Sequence, residues 1–179
     1  DDIIHVAYFN YSALSPQYTC YLLGSGLTQV PQQVDMPGTG MYTSIALDSY
    51  GQPAVSYYDH ILGDLKFATR NGQNWLTTAV ASNGDVGLHT SLAFDAEDNP
   101  CITYVDSTRG LFEMAYYYPS ESTWDTLHLG DIHAETIGSY LNTAVAFVPN
   151  PGGLSLPTCA YIGKSGLLKA IWTEENLGQ

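Results

Sequence analysis

The sequence predicts an all-β protein built from repeated four-stranded units, and three observations support this fold class. The segment TSIALDSYGQPAVSYYD, which begins at Thr43, recurs in altered form as TSLAFDAEDNPCITYVD, which begins at Thr90. Short apolar or alternating runs are separated by turn sequences: SYGQP, HILGD, NGQN and SNGDVG. No segment carries the longer periodicity of a convincing helix.

The repeat has a period of about 47 residues, which is in the range of propellers, solenoids and arrays. Each full unit contains four predicted strands, A to D. Strand A reads TSIALD, TSLAFD and TAVAFV in three units, and strand B reads IHVAYFN, PAVSYYD, PCITYVD and PTCAYIG in four. Strand C reads QYTCYL, GDLKFA, GLFEMA and GLLKAI, and strand D reads NWLTTAVA and TWDTLHLG.

Strand A has a bulky face and a small face. Ile45 and Leu47 alternate with Ser44 and Ala46, and the later copies keep this order. A sheet with solvent on one side would show a polar face instead. We therefore expect four-stranded sheets stacked bulky side on small side, as in the blades of a β-propeller, with tandem sandwich modules as the alternative. The aspartate that ends strand A is expected to accept hydrogen bonds from the following turn.

The repeat motif T-S-Φ-A-x-D-x-x-G-x-P-x-Φ-S-Y-Y-D…G-D-L-K-F-A…W resembles the tandem repeats of β-propeller proteins secreted by bacteria and archaea. It is distantly similar to sialidase-like propellers, although the Asp-box S-x-D-x-G-x-T-W of sialidases is missing from the sequence. The resemblance covers nearly the whole chain and implies blade architecture. It implies little about activity, because such repeats serve many roles.

We expect a single domain over residues 1–179, with blades at approximately 1–38, 39–86, 87–136 and 137–179. The first blade lacks strand A and the last lacks strand D, so both would expose hydrogen-bonding edges. Three arrangements follow from this pattern. The ring closes on itself, several chains form a larger ring, or copies add head to tail into a filament or tube.

The charge balance excludes several partners. Five Lys and Arg residues stand against 18 Asp and Glu, for a net charge of −13. Such a surface repels phosphate backbones and anionic lipids, so nucleic acid is excluded as a partner. No apolar run is long enough to insert in a membrane. The 14 tyrosines and the low basic content favour an extracellular or cell-surface protein.

Five residues are candidates for ligand binding. Tyr42, His89 and Asn142 each precede the threonine of a strand A, where they would form a polar rim at the mouth of a propeller channel or a simple loop junction. Trp75 and Trp124 open the D strands, where they would either stack on carbohydrate or close the outer edge of a blade by packing.

Metal and cofactor motifs are missing from the sequence. Asp59 and Asp106 end strand B in successive units, where they would bind calcium together with loop carbonyls or cap a turn. The histidines show no metal-binding spacing, and no nucleophile elbow, phosphate loop or dinucleotide fingerprint occurs. We therefore expect no catalytic residue and no cofactor, with calcium as the one alternative left open.

Two further features concern covalent chemistry. The sequence NYS makes Asn10 a candidate for glycosylation. Cys20, Cys101 and Cys159 are expected to be buried free thiols. Cys101 and Cys159 could approach across one interface, but packed sheets lie too far apart for a disulfide.

Three functions remain open from the sequence. The leading hypothesis is a non-catalytic extracellular structural subunit whose terminal blades are completed by other copies of itself. The alternative is a lectin-like module that binds an extracellular glycan or protein. The third is a polysaccharide hydrolase or lyase of the sialidase-like kind, which the missing Asp-box disfavours.

Overall fold

The computed structural model describes residues 2–24, 26–27, 29–132, 142–149, 155–162 and 168–172, and within them the protein is all-β. The described residues contain no helix, and hence none that could cross a membrane. The strands are β1 (Ile3–Asn10), β2 (Ser15–Leu22), β3 (Gly26–Leu27), β4 (Gln32–Gln33), β5 (Thr39–Leu47), β6 (Pro53–Asp59), β7 (Asp64–Asn71), β8 (Asn74–Ala81), β9 (Val86–Phe94), β10 (Pro100–Asp106), β11 (Leu111–Tyr118), β12 (Thr123–Asp131), β13 (Ala144–Pro149), β14 (Ser155–Ile162) and β15 (Leu168–Trp172).

The strands form four antiparallel sheets in chain order. Sheet 1 pairs β1 with β2, and the short β3 and β4 both pair with β2. Sheet 2 has the order β5-β6-β7-β8, sheet 3 the order β9-β10-β11-β12, and sheet 4 the order β13-β14-β15. This confirms the predicted four-stranded units in sheets 2 and 3, with strands B, C and D in sheet 1 and strands A, B and C in sheet 4.

Neighbouring sheets pack with a bulky face against a small one, as the alternation in strand A predicts. Between sheets 1 and 2, Val55 packs in the same cluster as Ala7. Between sheets 2 and 3, the fully buried Ile102 packs with Ala54. Between sheets 3 and 4, Cys159 packs with Cys101. Burial of these faces supplies the main stabilisation, at about 25 cal/mol per Å² of apolar surface.

The Thr-Ser pair that opens strand A joins neighbouring sheets by hydrogen bonds. The Thr90 hydroxyl donates to the carbonyl oxygen of Tyr42 at 2.7 Å, and the backbone N–H of Leu92 donates to Ser44 Oγ at 3.1 Å. The next interface repeats both bonds. There the Thr143 hydroxyl donates to the carbonyl oxygen of His89 at 2.6 Å, and the N–H of Val145 donates to Ser91 Oγ at 3.2 Å. The recurrence of this pair in the sequence therefore has a physical reason.

Strand A begins earlier than the sequence predicts. Tyr42 and His89 lie inside β5 and β9 rather than before them. The pairing of β5 with β6 shifts register around Tyr42, and both residues have a left-handed φ of 55°. An irregularity of this kind in one strand is a β-bulge, which bends the strand and redirects a side chain. The predicted loop-to-strand junction at these positions is therefore wrong.

Aspartates cap the turns as predicted. Asp48 Oδ1 accepts hydrogen bonds from the N–H groups of Tyr50 and Gln52, and Asp95 Oδ1 accepts the equivalent two bonds from Glu97 and Asn99. Each carboxylate thereby replaces part of the strand pairing that the turn interrupts.

All three cysteines are buried free thiols, which confirms that prediction. Burial raises the pKa of the Cys159 thiol to about 12 and holds the pKa of Cys101 well above its usual value. Thiolates, which are the reactive form, are therefore scarce at neutral pH.

Candidate functional site

A groove of about 730 Å³ opens between sheets 2 and 3, at the end of the sheets where strand A turns into strand B. Its walls combine aromatic rings with carboxylates and amides, a composition typical of small-molecule sites. The aromatic and polar residues on which the argument depends are Phe67, Phe94, Tyr117, Trp124, Asp48, Gln52, Glu97, Asp98 and Asn99.

Trp124 forms the largest aromatic part of the groove wall. It lies in the edge strand β12, opposite Tyr117 of β11, and the two ring centroids are 5.4 Å apart. Its ring also meets the buried Phe67 of sheet 2 edge to face, at 5.3 Å. Edge-to-face pairs of this kind are worth about 0.5–1.5 kcal/mol beyond the area they bury. Trp124 is thus held in place from two sheets, and its ring is half-buried.

The turn between β9 and β10 forms the polar rim, and Asp95 holds it rigid. Besides the two turn N–H groups, the Asp95 carboxylate accepts hydrogen bonds from Asn99 Nδ2, at 2.9 Å, and from the Tyr116 hydroxyl. Burial and this carboxylate raise the pKa of Tyr116, so the phenol remains a donor. Glu97 and Asn99 are therefore presented at fixed positions.

Asp98 joins the rim to the neighbouring sheet. Its carboxylate accepts hydrogen bonds from the backbone N–H of Ser49 at 2.7 Å and from the Ser49 hydroxyl at 2.6 Å. Asp98 adopts a left-handed φ of 63°, which is uncommon for a residue other than glycine. The contact links the first turns of sheets 2 and 3 across the groove.

The groove carries an excess of negative charge. Asp48, Glu97 and Asp98 line it, and Arg70 is the cation among its lining residues. The Arg70 guanidinium is already engaged elsewhere. Its Nε donates to the carbonyl oxygen of Gly72 at 3.0 Å, and it lies 5.3 Å from the ring centre of Tyr18 in sheet 1.

Trp75 occupies the equivalent place in sheet 2 but lies outside this groove. Its ring meets Tyr18 of sheet 1 edge to face at 5.3 Å, just as Trp124 meets Phe67. Packing accounts for both tryptophans, and Trp124 in addition lines a groove. That either ring stacks on carbohydrate stays a prediction.

Tyr42, His89 and Asn142 lie at the opposite end of the sheets from the groove, near the start of strand A. The rings of Tyr42 and His89 are brought together at 4.2 Å, and Asn142 occupies the next equivalent position with an exposed side chain. That these residues bind a ligand stays a prediction.

The calcium candidates act as turn caps. Asp59 Oδ1 accepts hydrogen bonds from the N–H groups of Ile61 and Leu62, and Asp106 is bound by the N–H and Nε of Arg109. Within the residues that the structure describes, no group of three His, Cys, Asp or Glu could hold a metal ion. Calcium binding stays untested.

Asn10 caps the corresponding turn of sheet 1. Its Oδ1 accepts hydrogen bonds from the N–H groups of Ser12 and Ala13. Glycan attachment uses the other side-chain atom, Nδ2, and this prediction also stays untested.

The rim residues Gln52, Glu97 and Asn99 were not singled out from the sequence. Their signal is faint. The turns SYGQP and AEDNP keep the proline, and each follows the strand A aspartate, but the polar residues between them differ. Variation over a constant framework is typical of residues that serve binding rather than folding.

No family model matches the sequence, and no curated protein is significantly similar to it. Among solved structures, the protein is similar to a triple arginine-to-alanine variant of AofleA from Arthrobotrys oligospora, with 9% identity and a TM-score of 0.64 over 97% of this chain and 52% of that one. A protein of unknown function from Dyadobacter fermentans aligns with 11% identity and a TM-score of 0.57, over 93% of this chain and 50% of that one.

A fucose lectin from Kordia zhangzhouensis, solved in complex with methyl-fucoside, aligns with 13% identity and a TM-score of 0.48, over 75% of this chain and 93% of that one. The chain spans about half the length of the Arthrobotrys and Dyadobacter proteins. At these identities the first two likenesses show a shared fold. None of the three is described as a sialidase, so the distant resemblance to sialidase-like propellers stays a prediction.

Proposed function

We propose that the protein is a non-catalytic carbohydrate-binding module, in which one sugar residue binds in the groove between sheets 2 and 3. The groove itself carries this proposal. A sugar ring presents an apolar C–H face and a rim of hydroxyls, and the groove offers the half-buried indole of Trp124 beside the polar side chains of Glu97 and Asn99. Aromatic walls with a few fixed polar groups suit such a ligand.

The proposed architecture is one propeller-type domain whose blades are the four sheets. The A strands of neighbouring sheets lie close enough for direct hydrogen bonds through Thr90 and Thr143. Towards the outer strands, the interface between sheets 2 and 3 contains the ring of Trp124, and the interface between sheets 1 and 2 contains the ring of Trp75. Sheets that approach closely at strand A and stand apart at strand D fan out around an axis, which is the blade arrangement of a propeller.

Binding is favoured over hydrolysis by the state of the groove carboxylates. Glycoside hydrolysis needs two carboxylates that flank the scissile bond. Asp48 and Asp98 accept hydrogen bonds from turn N–H groups and from Ser49, so both hold the turns in place. The carboxylate of Glu97 makes no hydrogen bond or ion pair within the described part of the chain.

The structural-subunit hypothesis is less well supported than the binding module. No comparison speaks for self-assembly, whereas the groove has the composition of a binding site. The role as a subunit completed by other copies, and the extracellular location, stay predictions from the sequence.

The experiment compares two matched tryptophan variants on an array of neutral, amino and acidic glycans, followed by calorimetry on the best binder. Trp124→Ala should weaken binding about fivefold or more, since an aromatic contact is worth on the order of 1 kcal/mol. Trp75→Ala removes an equivalent packing contact outside the groove and should leave affinity unchanged. An array on which nothing binds, or equal loss in both variants, would refute the proposal.

A further inference from the structure

The electrostatics of the groove bear on which sugars it accepts. Three carboxylates line it, from Asp48, Glu97 and Asp98. The hydrogen bonds that Asp48 and Asp98 accept come from neutral donors, so no cation is paired with either carboxylate. The whole chain carries a net charge of −13, which adds a negative field of long range.

Among the described residues, Arg70 is the one cation that lines the groove, against three carboxylates. Lys66 pairs with Asp35 and Asp59, and Arg109 pairs with Asp106 and Glu113. Arg70 is held by Gly72 and lies over Tyr18, as shown above. Lys66 and Arg109 are therefore paired with carboxylates, while Arg70 has only neutral partners. A uronate, sialate or sulfated sugar would meet three carboxylates and one cation in the groove, so repulsion should outweigh attraction.

From this charge distribution we propose that the groove selects amino saccharides, whose protonated amine pairs with Glu97. The proposal rests on the proposed carbohydrate-binding function and names its ligand class. Glu97 is the partner because its exposed carboxylate has no intramolecular contact in the described residues, while its backbone is held by Asp95. A carboxylate on a fixed turn loses less conformational entropy on binding than one on a mobile loop.

The expected preference is modest and sensitive to salt. One partly exposed ion pair strengthens binding by up to roughly fivefold, and the neighbouring carboxylates add to it. Ions screen such a pair, so most of the preference should disappear between about 10 mM and about 150 mM salt. Stacking on Trp124 depends little on salt, so the neutral part of the affinity should persist.

The test measures, by calorimetry, the affinity of the whole protein for two probes with the same backbone. One is a glucosamine tetramer at a pH where its amines are protonated, and the other is its fully N-acetylated counterpart. We expect the glucosamine tetramer to bind about fivefold or more tighter at low salt. An oligogalacturonate of the same length should bind least.

Two charge-neutralising variants locate the effect. Glu97→Gln should reduce the preference for the glucosamine tetramer to about twofold or less, with binding of the acetylated tetramer unchanged. Asp131→Asn removes the same charge at an exposed site far from the groove, and it should keep the preference. Equal affinity of the two tetramers at low salt, or an equal effect of both variants, would overturn the inference.

Failure of this inference is distinguishable from failure of the proposed function. If the acetylated tetramer binds as tightly as the free amine and Trp124→Ala abolishes both, the groove is a saccharide site without selection for amines. If the glucosamine tetramer binds equally well to wild type and to Trp124→Ala, its attraction is only to the net charge of the protein. If no saccharide binds, both proposals fall.

Discussion

The hydroxyl of Thr90 provides a sharp test of how the sheets are joined. It donates to the carbonyl oxygen of Tyr42 at 2.7 Å and lies 2.8 Å from the hydroxyl of Ser56, which is fully buried. Thr90→Val preserves the shape of the side chain but removes both contacts. The Tyr42 carbonyl and the fully buried Ser56 hydroxyl would then each lose a hydrogen-bond partner.

The expected loss of stability follows from those two contacts. A hydrogen bond contributes about 1 kcal/mol net, and a buried polar group left unpaired costs about 1–3 kcal/mol. We therefore expect Thr90→Val to lower the free energy of unfolding by about 2 kcal/mol. For a domain of this size, that shift lowers the Tm by about 4–8 °C. Urea denaturation with an unchanged m value would measure it.

Two controls frame this result. Thr77→Val makes the same replacement at an exposed position of β8 and should change stability by less than about 0.5 kcal/mol. Thr143→Val repeats the experiment one interface later, where the hydroxyl contacts Thr103 and the carbonyl of His89, and should cost as much as Thr90→Val. If Thr90→Val lowered the free energy of unfolding no more than Thr77→Val does, the inter-sheet hydrogen bonds would not stabilise the packing of the sheets.

Three further predictions concern the backbone, pH and the thiols. Gly87→Ala should destabilise by several kcal/mol, because Gly87 has a φ of 101° and a Cβ there would lie 2.6 Å from the Cα of Leu65; Gly72→Ala, with open space around it, should cost only about 1 kcal/mol in chemical denaturation. Burial alone would raise the pKa of Asp35, but hydrogen bonds, chiefly from Lys66, hold it below its usual value. Because the folded-state pKa of Asp35 is depressed, its ionised carboxylate stabilises the fold above the unfolded-state pKa, and this stabilisation is lost as the pH falls. Between about pH 4 and pH 2 the wild type should therefore lose more stability than Asp35→Asn in thermal melts. The three cysteines should resist a thiol reagent in the native state and react in urea, and fast native labelling would contradict their burial.

The stacked sheets could be predicted because their cause is local and repeated. The alternation of Ile45 with Ser44 and Ala46 is visible in one strand, and its recurrence in later units indicates that the bulky face of one sheet packs on the small face of the next. Turn capping by Asp48 and Asp95 is equally local. Both the alternation of faces and the capping of turns depend on residues that are a few positions apart in the chain, where sequence patterns are most informative.

Features that join distant parts of the chain could not be predicted. The groove depends on the contact of Ser49 with Asp98, which comes from turns one repeat apart. The bulges at Tyr42 and His89 depend on strand register, which no pattern in strand A reveals. Strand D of the first unit breaks into β3 and β4, and the intervening sequence contains a proline.

The hairpin after β7 shows how a correct location can carry the wrong geometry. The Asn71-Gly72 pair predicts a type I′ turn centred on those two residues. In the structure Asn71 pairs with Asn74, so the loop residues are Gly72 and Gln73, and only Gly72 has a positive φ. That pattern fits a type II′ turn, which needs glycine at its first position.

The most direct test of the account is chemical-shift mapping of the isotope-labelled protein during titration with the glucosamine tetramer. We expect saturable shifts of the Trp124 indole and of the Glu97–Asn99 backbone, with the Trp75 indole unmoved. Shifts centred on Tyr42 and His89 at the other end of the sheets, or no saturable shift with any saccharide, would contradict the assignment of the groove as the binding site.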